Sequence, residues 1–263
     1  MDMLPKAMFF DIDGTLVPFG SHGVPAEARA AIEELRRRGV KMFVATGRHM
    51  AWIDNLDGLE FDGYVVANGS LCLLADKKTE VFKRCVNPSD LKRLVEYAPQ
   101  SPLSFVVVPA DGDIFLSGPC PEMEIINRDL NLPPVPVRPL QTALGKDIVQ
   151  LMAFGSEADR SDLALFSQVL EDCEPTSWHP LFCDIVPRGS DKGVGVREMC
   201  RHFGIDISET VAFGDGDNDI PMLRACGQGV AMGQATAEAK AAADIVAPTF
   251  SEGGLAVSLQ RYI

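Results

Sequence analysis

Two acidic clusters, far apart in the chain, each close a short apolar run. Ala7-Met8-Phe9-Phe10 leads into Asp11-Ile12-Asp13-Gly14-Thr15, and Val211-Ala212-Phe213 leads into Gly214-Asp215-Gly216-Asp217-Asn218-Asp219. An apolar run that stops abruptly at acids and glycine is the pattern of a buried parallel strand whose carboxyl end opens into a ligand crevice. Asp11 and Asp13 are two positions apart, so on extended backbone their side chains point the same way. One carboxylate can then attack while the other protonates a leaving oxygen, and the Ile12 amide between them faces an anion. Two like charges about 4 Å apart repel by roughly 4 kcal/mol at an effective dielectric near 20, so the cluster calls for a cation. Hard oxygen ligands suit Mg2+, which usually also binds substrate phosphate. Thr46, after the apolar run Val40–Ala45, and Lys192, at the head of a helical pattern, add a hydroxyl and an ammonium. This inventory is the equipment of phosphoryl transfer, where catalysis is mostly positioning and charge neutralisation.

For these groups to meet, a sheet must carry them to one edge. Met8 to Phe10, Val40 to Ala45 and Gly63 to Ala67 read as strands, separated by a helix from Pro25 to Arg38 and a short helix around Met50 to Leu56. Pro25 suits a first turn, Ala28, Ala31, Ile32 and Leu35 form one face, and Gly39 ends the helix. Strand–helix alternation of this kind implies a parallel sheet. Leu71–Leu74 and Glu80–Val86 read as a hairpin leading out of it. The rhythm then changes. Leu91–Tyr97, Pro121–Leu130 and Ser156–Leu170 read as helices, Phe105–Val108, Ile114–Ser117 and Ile148–Phe154 as strands, and Pro133–Pro139 as a connector. Past Ser190 or Asp191, which cap a helix running through His202 to Gly204, the first rhythm resumes. Strands are expected at Val211–Phe213, Gly229–Met232 and Ile245–Ala247, with helices at Ile220–Ala225, Ala235–Ala243 and Gly254–Gln260. The expected fold is α/β: a doubly wound parallel-sheet (Rossmann-like) core in two segments, 1–82 and 186–263, with an inserted α+β cap domain at 83–185. In such a sheet the strand carboxyl ends meet at the topological switch point.

Four blocks in order, Asp11-Ile12-Asp13-Gly14-Thr15, Thr46-Gly47-Arg48, Lys192 and Gly214 to Asp219, resemble the four motifs of the haloacid dehalogenase superfamily. The insert after the third strand and the Asn68-Gly69 hinge resemble its Cof-type sugar-phosphate phosphatases. The resemblance implies that Asp11 is a nucleophile forming an aspartyl-phosphate and that Asp13 is the general acid, then the base for water. It implies that Thr46 and Lys192, with the Ile12 and Gly47 amides and Asn218, hold the phosphate. Mg2+ would bind Asp11, the Asp13 carbonyl and Asp215, and Asp219 would position Lys192. The insert would close over a small phosphorylated substrate and exclude water.

Each residue also has a plainer reading. Asp-Gly is a common turn, and a lysine at a helix start is often solvated. Arg48 fits a phosphate or substrate contact and a surface ion pair equally, and Asn68 fits a turn or a substrate contact. Asp215 to Asp219 is not a calcium loop, because Ile220 and Cys226 stand where glycine and glutamate are needed. Gly193-Val194-Gly195 lies inside a helical pattern and lacks the third glycine of a dinucleotide loop. His22, His49, His179 and His202 lack metal-ligand spacing; Trp52 and Trp178 read as packing residues, although Trp178 could line a sugar pocket.

A net charge of −13 argues against nucleic acid or an anionic membrane as partner. Seven dispersed cysteines without a Cys-x-x-Cys read as core residues of a reducing compartment rather than zinc ligands or disulfides. With no leader pattern or long apolar run, the expected location is cytoplasmic. Oligomeric state is not legible. Mg2+-dependent hydrolysis of small phosphorylated metabolites, foremost sugar (hexose) phosphates, is the leading expectation; a phosphomutase passing the group between sugar hydroxyls and a non-catalytic phosphate-ligand sensor are the alternatives.

Overall fold

A computed structural model describes residues 4–19, 23–54, 56, 58–156, 165–176 and 181–263. The chain divides into two compact units, Met1–Phe82 with Asp191–Ile263, and Lys83–Ser190.

The first unit is built on strands β1 (Ala7–Phe10), β2 (Lys41–Ala45), β3 (Gly63–Val66), β4 (Leu71–Leu74) and β5 (Glu80–Lys83), with helix α1 (Ala26–Arg37) between β1 and β2. The second unit contributes α2 (Pro88–Tyr97), β6 (Ser104–Pro109), β7 (Phe115–Leu116), α3 (Pro121–Asp129), β8 (Ile148–Phe154), β9 (Cys173–Thr176) and β10 (Phe182–Pro187). The chain then returns with α4 (Lys192–Phe203), β11 (Thr210–Gly214), α5 (Ile220–Ala225), β12 (Gln228–Ala231), α6 (Ala237–Ala242), β13 (Ile245–Val246) and α7 (Gly254–Leu259).

The core sheet runs β13-β12-β11-β1-β2-β3-β4-β5, and every pair from β13 to β3 is parallel. Strand order reverses between β1 and β11: successive strands step outward one way from β1 and the other way from β11. That is the switch point at which ligands bind in doubly wound sheets. Side chains alternate across β1, so Ala7 and Phe9 join Phe43, Val196, Met199 and Met222 on one face. Phe9 stacks on Phe43 and Phe10 on Phe213, with ring centroids 4.8 and 5.2 Å apart. α1 buries Ala28, Ala31, Ile32 and Leu35, as its spacing predicts, and packs against α7.

Gly193 and Gly195 are packing devices in α4. A Cβ on Gly193 would lie 2.5 Å from the Pro221 carbonyl oxygen, and one on Gly195 2.3 Å from a Val65 methyl. Only glycine lets α4 lie this close to α5 and β3.

Four expectations need correction. Leu71–Leu74 and Glu80–Lys83 do not leave the sheet; they extend it, β4 pairing antiparallel with β3. The helix expected around Met50–Leu56 is a three-residue 3-10 turn, Met50–Trp52, capped by the His49 ring accepting from the Ala51 amide. Pro133–Pro139 is more than a connector: Leu116 donates its amide to the Pro136 carbonyl and accepts from the Arg138 amide, which covers the edge of β7. The helix expected over Ser156–Leu170 falls largely outside the described residues; its described end, Leu165–Val169, is a π-helical turn.

The second unit carries a sheet ordered β7-β6-β8-β10-β9, antiparallel throughout. Strands β9 and β10 were not anticipated. Pro175 interrupts the β9 pattern, and it is tolerated because β9 is an edge strand. Leu91 and Leu94 of α2 pack with Phe105, Val107, Leu151 and Ile185 into that unit's own core.

Candidate active site

The carboxyl ends of β1 and β11, adjacent and parallel, deliver Asp11 and Asp215 to one place. Beyond β1 the chain turns tightly: Leu16 donates its amide to the Asp11 carbonyl and Val17 to the Ile12 carbonyl. Gly14 sits in that turn at φ +87°, and a Cβ there would fall 2.2 Å from an Asp215 carboxylate oxygen. Glycine is therefore required twice over, by its backbone angle and by the approach of the acid.

Lys192 opens α4, whose N-cap is Asp191, accepting from the Val194 amide. Its side chain is wholly buried, and its Nζ lies 2.7 Å from Asp11 Oδ1 and 2.5 Å from Asp219 Oδ1. The other Asp219 oxygen accepts from the amides of Asp215 and Gly216, at 2.8 and 2.9 Å. Asp219 thus splints the Asp215 loop to the lysine. Oxygens of Asp11, Asp215 and Asp219 lie within 4.8 Å of one another. Those of Asp219 are already committed to donors, which leaves Asp11 and Asp215 as the pair able to ligate a cation.

Charge balance points the same way. Burial, opposed by Lys192 but reinforced by Asp219, Asp215 and Asp13, holds the Asp11 carboxyl well above the usual carboxylate range. Burial and Asp219 push Asp215 up to about 7, against the pull of Lys192 and a hydrogen bond from Thr15. Burial would lower Lys192, but Asp11 and Asp219 outweigh it and keep its ammonium charged beyond the ordinary lysine range. A pocket richer in carboxylates than in cations raises acid and base alike. Two buried hard-oxygen donors with raised proton affinity fit a small divalent cation, which would supply the missing positive charge.

Other predicted residues gather at the same edge. Thr46 follows β2; its amide donates to the Val65 carbonyl, and its hydroxyl oxygen accepts from the Arg48 amide. Gly47 lies in that bend and Ile12 in the turn after β1. Arg48, left open between a ligand contact and a surface pair, is neither exposed nor simply a surface pair. It is 4% exposed and forks onto both oxygens of Asp13, at 2.7 and 2.6 Å. Asn68 is a left-handed turn residue, φ 50° and ψ 37°, and also a partner, its Oδ1 accepting from Asn218 Nδ2 at 3.0 Å. Gly69 beside it lies against α4, where a Cβ would stand 2.0 Å from the Asp191 carbonyl oxygen.

Three further contacts at this edge have no counterpart in the sequence reading: Thr15 Oγ1 to Asp215, Gln234 Nε2 to the Gly14 carbonyl, and Thr236 Oγ1 to Asp217. Gln234 and Thr236 follow β12, so the signal was their position just past another strand carboxyl end. Of the histidines, His49 caps a turn and His202 meets Phe203 edge-on, whereas His22, His179 and Trp178 lie outside the described residues. No helix among the described residues is long and apolar enough to cross a membrane.

Comparison with known proteins agrees with this geometry. The chain is 28% identical to the Bacillus subtilis protein YkrA, named as a phosphatase, over 97% of both chains. It superposes on the structure of the subclass IIB sugar phosphatase BT4131 with a TM-score of 0.89, at 35% identity over 98% of each chain. BT1666, a superfamily phosphatase of Bacteroides thetaiotaomicron, gives a TM-score of 0.87 at 30% identity, covering 98% of this chain and 95% of that one. The model of the haloacid dehalogenase-like hydrolases matches residues 8–259, and the chain is an enzyme of that family.

Proposed function

We propose that the protein is a Mg2+-dependent phosphatase that hydrolyses small phosphorylated metabolites, foremost hexose phosphates, through an aspartyl-phosphate on Asp11. The observation that carries this reading is the buried Lys192 ammonium spanning Asp11 and Asp219 beside Asp215. A lysine is seldom placed wholly inside a protein unless paired, and here it fixes a carboxylate that is pointed at other carboxylates.

In this reading Asp11 Oδ attacks phosphorus, and Asp13 gives a proton to the departing alcohol and later takes one from water. Thr46, Lys192, Asn218 and the Ile12 and Gly47 amides bind the phosphate oxygens. Asp11, Asp215 and the Asp13 carbonyl would hold Mg2+, which when bound neutralises the phosphate and the surrounding acids. Asp219 keeps Lys192 and the Asp215 loop in register. Asn68 steadies Asn218. The sugar preference draws on the likeness to BT4131, and Lys83–Ser190 is the unit in which selectivity would reside.

A phosphate-release assay over a panel of sugar phosphates, with and without Mg2+, tests the reading. Turnover is expected only with the metal, and Asp11→Asn is expected to lower it at least about 10³-fold. An isomeric phosphate ester as product, in place of free phosphate and alcohol, would mark a mutase and overturn the hydrolase assignment.

A further inference from the structure

Asp11 is oriented by Lys192, but a proton donor to a leaving group must also be held still. We propose that Arg48 is the positioning residue for Asp13, fixing the carboxyl that protonates the departing oxygen; the inference rests on the phosphatase reading above.

Arg48 Nε donates to one Asp13 oxygen at 2.7 Å and a terminal nitrogen to the other at 2.6 Å. The opposite terminal nitrogen donates to the Trp52 carbonyl at 3.1 Å. The Arg48 amide is tied to Thr46 Oγ1, and its carbonyl accepts from the Ala67 amide at 3.0 Å. The Arg48 backbone is thus anchored at the ends of β2 and β3 and its guanidinium at the Trp52 carbonyl, and its fork is turned on a residue 35 positions away in sequence. Side-chain exposures of 4% for Arg48 and 12% for Asp13 set this pair apart from surface ion pairs, which contribute little. A planar, bidentate fork fixes both the direction and the tilt of a carboxylate, which a point charge does not.

Both Asp13 oxygens lie on Arg48, so the arriving leaving-group oxygen takes the place of one contact while the parallel one retains the orientation. In the first half-reaction the bond from Asp11 to phosphorus forms as the ester P–O bond breaks, and the Asp13 proton passes to the departing oxygen. In the second, water oxygen bonds to phosphorus, its proton returns to Asp13, and the acyl-phosphate bond breaks to leave inorganic phosphate.

The test compares esters whose leaving groups differ in their need for a proton. In Arg48→Met, kcat/KM for a hexose phosphate is expected to fall by about 10²–10³-fold, and for p-nitrophenyl phosphate by under about tenfold, because nitrophenolate departs without protonation. Asp13→Asn should show the same bias, and the double variant should lose little more than either alone. If Arg48→Met does not fold, Arg48→Lys, which keeps the charge and loses the fork, should show the bias in smaller degree. An equal loss for both esters, or none, overturns the role of Arg48 while leaving the phosphatase reading intact. Absence of turnover by the unaltered protein overturns both.

Discussion

Two buried aspartates, one in each unit, show what separates a site from a strut. Asp90, in the first turn of α2, has no solvent exposure. One of its oxygens is met by Arg93 at 2.5 Å and the other by the Asp172 amide at 2.9 Å, so its charge is spent on holding its surroundings together. Asp11 is also buried, yet it is set beside Asp13, Asp215 and Asp219, with Lys192 in contact. Burial is common to both. What differs is that Asp90 is satisfied by its neighbours, whereas Asp11 stands among like charges whose balance calls for an added cation.

The sharpest way to break this contrast is to remove the lysine. Lys192→Met should cut turnover by about 10²–10³-fold, because the phosphate and Asp11 lose the charge that neutralises them. Steady-state kinetics beside a thermal melt will separate this from unfolding; a variant that melts normally and turns over normally would dissolve the distinction. Next in size, Asp90→Ala should cost about 1–3 kcal/mol of stability through the lost charge-assisted bonds. Denaturant titration measures it, and kcat of the folded fraction should be unchanged. A large fall in kcat without loss of stability would make Asp90 part of the chemistry.

A smaller effect follows from Asp215. Its carboxyl, ordinarily titrating at 3.8, is raised to about 7 by burial and Asp219. Between those values the folded, metal-free protein retains a proton that the unfolded chain has lost, so this group makes stability fall as pH rises through that window. A divalent ion needs the carboxylate, so its stabilising increment should grow over the same window. Melting curves with and without Mg2+ from about pH 5 to about pH 8 check the sign. An increment independent of pH would contradict it.

The two units also differed in how much of them could be read in advance. In the core, parallel strands buried on both faces gave continuous apolar runs, and each run ended where chemistry began. The sequence pattern therefore brings Asp11, Thr46 and Asp215 to one sheet edge, and Lys192 with them from the cap at Asp191. Local sequence could not say where Arg48 points, because an arginine in a Thr-Gly-Arg bend fits a ligand contact and a surface ion pair equally until the turn after β1 is folded against it. Nor could it say that Asn68 pairs with Asn218, 150 positions away. In the insert, antiparallel strands alternate and tolerate irregularities: Pro175 hid the edge strand β9, and Asp184 broke the apolar run of β10. β4 and β5 were misplaced for a related reason. A hairpin pattern fixes the pairing of its two strands, but not whether a third, here β3, lies alongside.

The account stands most directly on the covalent role of Asp11. Acid quench during turnover, borohydride reduction and peptide mass spectrometry convert an aspartyl-phosphate into homoserine at the phosphorylated position. Homoserine at position 11, formed only with Mg2+ and substrate present, is the predicted result. Turnover with no reduced residue at position 11, or with the label on another side chain, would contradict it.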